Sequence, residues 1–161
     1  MGPTLAGYLS FIRNVMAVPT GALPDNSAVI ATSYNTSLAL VNRALCRVRN
    51  PDPAQPSIYA LAVYNLAGDR LVNYAQDIPP LTYFQDLRKE LNLTGFVGGI
   101  ITSSNDESTG ESLVVPKFAE NLTMSDLQRL KTPWGRQYLE FIQDYGPSIW
   151  GFSLANLHRR G

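Results

Sequence analysis

The sequence predicts a mainly α protein: a small helical bundle with one β-hairpin insertion and an extended C-terminal tail. Three observations carry this. Apolar residues recur at spacings of three and four up to Leu93 and again near the end. The stretch Ile58 to Ala67 is apolar nearly all round, as suits a helix in the middle of a bundle or at a subunit interface. One stretch, at about 96–116, is instead β-branched and apolar at both ends with a polar, glycine-containing middle. The 161 residues suit one domain with one core, read here as residues 1–147 followed by a tail at 148–161.

The first helix is expected over 4–18, with Leu5, Tyr8, Leu9, Ile12, Val15 and Met16 on one face. Pro3 and Thr4 suit its start, and Pro19, Gly21 and Pro24 make the following loop. Asp25, Asn26 or Ser27 can cap a second helix to about Arg47. Its small Ser33 and Ser37 let another helix approach, and Arg43, Arg47 and Arg49 suit its C-terminal end. Three prolines between Asn50 and Pro56 require a loop. Ser57 caps a third helix to about Gln76, in which Gly68 marks a close helix crossing or a kink. Pro79 and Pro80 end that segment, and 81–93 reads as a fourth helix.

Phe96 to Thr102 and Ser112 to Val115 read as the strands of the hairpin, joined by the polar tip Ser103 to Glu111. Thr123 and Asp126 start a short helix through Leu130 in the manner of a capping box. Thr132 followed by Pro133 starts the last helix, 133–145, which Gly146 and Pro147 end. Leu61, Leu66, Leu87, Leu127 and Tyr138 are expected in the core.

Charged residues make up 16% of the chain, below the ~25% typical of soluble domains. Either Ser, Thr, Asn and Gln cover the surface or a partner does. Lys plus Arg and Asp plus Glu balance at 13 each, which argues against nucleic-acid binding as the main role. The single cysteine, Cys46, allows no internal disulfide and reads as a small buried hydrophobe. No apolar run is long enough to span a bilayer, and the N-terminus does not read as a signal peptide. The protein is therefore expected to stay in the cytosol of the cell that makes it, with no membrane partner.

The residues show no catalytic constellation. His158 lies in the tail, without the fixed partner that acid–base chemistry needs. Gly95, Gly98 and Gly99 follow a helix and precede a strand, the reverse of a dinucleotide-binding fingerprint. Asp106 and Glu107 lack the spacing of a calcium loop and read as an acidic tip. No enzyme activity, cofactor or metal is expected. Trp134, Tyr138, Phe141, Tyr145, Trp150 and Phe152 crowd the last quarter, either as core or as interface anchors.

Leu130-Lys131-Thr132-Pro133-Trp134-Gly135-Arg136-Gln137-Tyr138-Leu139, leading to Asp144-Tyr145-Gly146, resembles the C-terminal helix of head–tail adaptor (connector) proteins of tailed bacteriophages. Tyr59 to Gly68 is similar to the central buried helix of that family, and Gly99 to Ser104 to the strand before its extended loop. The resemblance spans roughly residues 57–146, and the order of the segments is more specific than any one of them. It implies a non-enzymatic virion protein at the neck, made in the host cytoplasm. About twelve copies would form a closed ring under the portal protein. The ring would extend the DNA channel toward a stopper, tail or nozzle protein, with double-stranded DNA passing through without sequence-specific binding. Asp106, Glu107 and Glu111 at the hairpin tip are then expected to face the channel, where like charge keeps DNA from sticking. Trp150, Phe152, Leu154, Leu157, Arg159 and Arg160 in the tail are expected at a portal or subunit interface, or the aromatics fold back on the bundle. A stopper or tail terminator is the nearest alternative. A small cytosolic enzyme or regulator with an apolar pocket is the alternative from another class.

Overall fold

The computed structural model describes residues 2–47, 55–95, 104–106, 109–111 and 123–145. Among these, the α-helices are α1 (Leu5–Asn14), α2 (Ala28–Leu40), α3 (Ile58–Tyr74), α4 (Tyr83–Glu90), α5 (Met124–Arg129) and α6 (Pro133–Tyr145). A 3-10 turn, Arg43–Arg47, follows α2. The protein is mainly helical, and the helices pack as a bundle around α3.

The apolar character of α3 dictates that place. Every residue from Ala62 to Asp69 is buried, leaving no face for water over that stretch. Its largest contacts are with α6 and α2, and α1 and α4 also touch it. Ser57 starts the helix as expected, its hydroxyl accepting the Ala60 N–H at 3.2 Å. Gly68 sits where two neighbours close in. A β-carbon there would stand 3.1 Å from the Met16 sulfur and 3.4 Å from Trp134 Cγ. The glycine thus serves a close crossing in a helix that continues unbroken to Tyr74.

The Thr4 hydroxyl caps α1 by accepting the Gly7 N–H at 3.0 Å. The helix buries Tyr8, Phe11 and Ile12, with Met16 just beyond its end. Two members of the expected face are corrected: Leu5 is 46% and Val15 61% exposed. Leu5 opens the first turn, and Val15 is already the C-cap. The backbone leaves the helix just beyond it, through a left-handed Ala17 (φ 54°). On α2, Ser33 and Ser37 are buried, as small residues at a close approach should be. The Ser33 hydroxyl donates to the Ile30 carbonyl and so accepts from the Tyr8 phenol at 3.2 Å. Tyr8 stacks against both Tyr34 and Tyr64, with ring centroids 5.9 and 6.0 Å away.

The second helix ends at Leu40, short of the expected Arg47. Asn42 is the cause: its side-chain oxygen accepts the Ala44 N–H at 2.8 Å and starts the separate 3-10 turn. Cys46 therefore leaves the register of α2 and is exposed, against the expectation of burial.

The corner between α3 and α4 is held by side chains at both helix ends. The Asp77 carboxylate accepts the Phe84 and Gln85 N–H groups at 2.7 and 2.9 Å, capping α4 from outside it. Arg88 donates from Nε to the Val72 carbonyl at 2.7 Å and from Nη2 to the Ala75 carbonyl, satisfying the end of α3. The Pro79–Pro80 peptide between the helices is cis.

The hairpin insertion expected over 96–116 is not supported. The strands described are three residues each, β1 (Ser104–Asp106) and β2 (Thr109–Glu111), paired antiparallel with Ser104 opposite Glu111 and Asp106 opposite Thr109. They fall inside the segment expected to be an unpaired tip. The expected strands Phe96 to Thr102 and Ser112 to Val115 lie outside the described residues. The predicted capping box is present on α5: the Thr123 hydroxyl accepts the Asp126 N–H, and the Asp126 carboxylate accepts the Thr123 N–H at 3.0 Å. Leu66 is fully buried, whereas Leu61, Leu87, Leu127 and Tyr138 are partly buried at the margins.

Candidate functional site

The Thr132-Pro133-Trp134-Gly135 motif forms the elbow between α5 and α6, and each residue has a physical reason to be there. Thr132 is wholly buried. Its hydroxyl accepts the Gly135 N–H at 2.8 Å, an N-cap, and donates to Asp69 Oδ1 at 2.5 Å. Pro133 takes the first helical position, where no N–H is needed. Trp134 packs on Gly68. At Gly135 a β-carbon would lie 2.2 Å from the Arg129 carbonyl oxygen, so only glycine lets α6 start this close to the end of α5. The elbow thereby ties the last helices to the central one.

Asp69 and Asp126 meet opposite electrostatics around it. Burial dominates at Asp69 and pushes its carboxyl above the usual range, against the Thr132 hydroxyl and the Arg129 and Arg70 charges, which pull it down. Burial also pushes Asp126 up. There the Thr123 hydroxyl and N–H and the Arg129 guanidinium outweigh it, and the carboxyl is held below its usual range. Arg129 acts on both carboxyls through its charge, but pairs only with Asp126: it donates to Asp126 Oδ1 at 2.7 Å and lies over the Tyr138 ring at 5.6 Å.

A groove of about 530 Å³ lies between α1, α3 and α6. Phe11, Val15, Leu61, Tyr64 and Phe141 give it apolar wall, and the amides of Asn14, Gln55, Asn65 and Gln137 also line it. Tyr64 is anchored at one end: its hydroxyl accepts the Thr4 N–H at 2.9 Å and donates to the Thr4 carbonyl at 3.2 Å. Gly7 makes room for that hydroxyl, because a β-carbon would stand 2.3 Å from it. No spacing rule separates these side chains from ordinary core positions.

Of the residues singled out in the sequence, Trp150, Phe152, Leu154, Leu157, Arg159, Arg160 and His158 lie outside the described residues, as does Glu107. Asp106 and Glu111 are placed by their backbone pairing in the two short strands. Among the described residues no three His, Cys, Asp or Glu side chains converge on a metal-sized site, and no helix is long and apolar enough to cross a membrane. Large apolar side chains do reach the surface: Leu40, Tyr74, Ile78, Leu81 and Tyr145 are each more than 40% exposed. No protein-family model, no curated protein and no solved structure matches the chain.

Proposed function

We propose that the chain is a non-enzymatic virion subunit: a head–tail adaptor of a tailed bacteriophage, assembling as a ring of about twelve copies beneath the portal protein. The observation that carries this reading is the elbow. The Thr132-Pro133-Trp134-Gly135 motif, one of the segments that carry the resemblance, seats on Gly68 of the buried helix that the resemblance also names. Two separately recognised segments thus meet in one packing unit. The exposed Leu40, Tyr74, Ile78, Leu81 and Tyr145 add apolar surface of the kind a subunit interface covers. The ring extends the DNA channel toward the stopper, tail or nozzle protein, and Asp106, Glu107 and Glu111 face the lumen. The tail, through Leu154, Leu157, Arg159 and Arg160 beyond Trp150 and Phe152, reaches the portal or a neighbouring subunit.

Electron microscopy and light scattering of the purified chain, alone and added to portal-capped heads that lack a neck, test this. A ring in solution or on the portal is the expected result. A chain that stays monomeric and adds to no head would remove the reading. The stopper and tail-terminator alternatives are disfavoured by the predominance of helix among the described residues. The groove beside α3 is the one observation that favours a small-molecule regulator, because apolar walls with several amides suit a ligand pocket. A metabolite retained through purification would shift the balance to it.

A further inference from the structure

The groove between α1, α3 and α6 has open walls that the described chain does not close. Val15 is 61% exposed at one end, and Leu61 and Phe141 are only partly covered. Helix α6 runs antiparallel to α3: Trp134 lies against Gly68, while Phe141 shares the groove with Leu61. Tyr145 therefore ends α6 one turn beyond Phe141, near the end of the groove that Gln55 and Pro56 help to line. Sixteen residues, 146–161, follow from that point. They begin with Gly146-Pro147, which suits a reversal, and continue Ser148-Ile149-Trp150-Gly151-Phe152.

The lengths agree. The α1 wall from Gly7 to Val15 is roughly 12 Å long at 1.5 Å per residue. An extended segment of four or five residues covers about 13–17 Å. A chain reversing after Tyr145 would lay Ile149 to Phe152 along the wall. A recess of about 530 Å³ is of a size that holds a few large side chains. Leaving Ile149, Trp150 and Phe152 in water would be costly, since each aromatic alone can bury about 150–250 Å².

We infer that the groove is the seat of this chain's own C-terminal aromatic segment, with Trp150 and Phe152 lying against Phe11, Val15, Leu61 and Phe141. Only Leu154 to Arg160 then remain free to meet a partner. The inference does not depend on the ring reading, because it concerns the isolated subunit.

Chymotrypsin digestion of the full chain, read by mass spectrometry, tests it. Cuts after Trp150 and Phe152 should be at least tenfold slower than in a synthetic peptide of residues 146–161. Val15→Glu places a charge on the groove wall at an already exposed position, so the fold should persist by circular dichroism while those cuts accelerate toward the peptide rate. Protection should be unchanged on hundredfold dilution. Cleavage of the wild-type chain at the peptide rate overturns the inference, as does protection that survives Val15→Glu. Protection lost on dilution also overturns it, by assigning the groove to the tail of another copy.

Discussion

Replacing Gly135 by alanine separates local preference from tertiary constraint by the sign of its effect. Gly135 lies in the first turn of α6. By helix propensity alone, alanine should stabilise there by up to about 1 kcal/mol. The elbow reverses that. The new β-carbon would stand 2.2 Å from the Arg129 carbonyl oxygen, 2.8 Å from the carbonyl carbon and 2.8 Å from Thr132 Oγ1. Two of those atoms are backbone and have no rotamer to escape into. Overpacking of this kind costs about 1–3 kcal/mol, and loss of the Thr132 cap adds about 1 kcal/mol. Set against the propensity gain, the net destabilisation is about 1–3 kcal/mol. For a chain of this size, each kcal/mol moves the melting temperature by roughly 2–4 °C. Thermal and urea unfolding followed by circular dichroism should therefore place Gly135→Ala several degrees below the wild type. An unchanged or raised Tm would mean that α5 and α6 do not meet as described, and the argument from the elbow would fall with it.

Leu66→Ala, at a position 1% exposed, should cost about 2–5 kcal/mol. Leu127→Ala, at a partly buried position on α5, should cost clearly less, and equal losses in urea titrations would contradict the packing. Asp69 and Asp126 should give pH dependences of opposite sign. The raised Asp69 carboxyl favours the fold most below the usual carboxylate range, and that contribution is lost as pH rises through its raised value. The lowered Asp126 carboxyl contributes above the usual range and loses that contribution as pH falls through its lowered value. Wild-type stability relative to Asp69→Asn should thus decline as pH rises just above the ordinary range, while stability relative to Asp126→Asn should grow as pH rises up to it. Slopes of the same sign would refute the assignment. Finally, exposed Cys46 should react with a chromogenic disulfide reagent in the native protein at a rate close to that of the unfolded chain. A rate suppressed a hundredfold would restore the buried reading.

Local chemistry was enough to read much of the bundle. Apolar spacing placed the helices. The Ser57 cap, the Thr123–Asp126 box and the Thr132-Pro133 start were legible because each acts within four residues of itself. The nearly all-apolar stretch of α3 had to lie in the middle of a bundle or at a subunit interface, and the packing of α1, α2, α4 and α6 on it decided for the first. Gly68 was flagged as a crossing or a kink, but its partners, Met16 and Trp134, come from far along the chain and no spacing names them. The same limit hid the caps at the α3–α4 corner, where Asp77 and Arg88 act on helices other than the ones their positions suggest. It also misplaced Cys46. An apolar helical pattern read it as buried, whereas one side-chain bond from Asn42 starts a separate 3-10 turn and leaves the thiol exposed. Which residues are apolar is thus a property of the sequence. Which apolar residues are left as an open groove is decided only when three helices meet, because that depends on what packs opposite each of them.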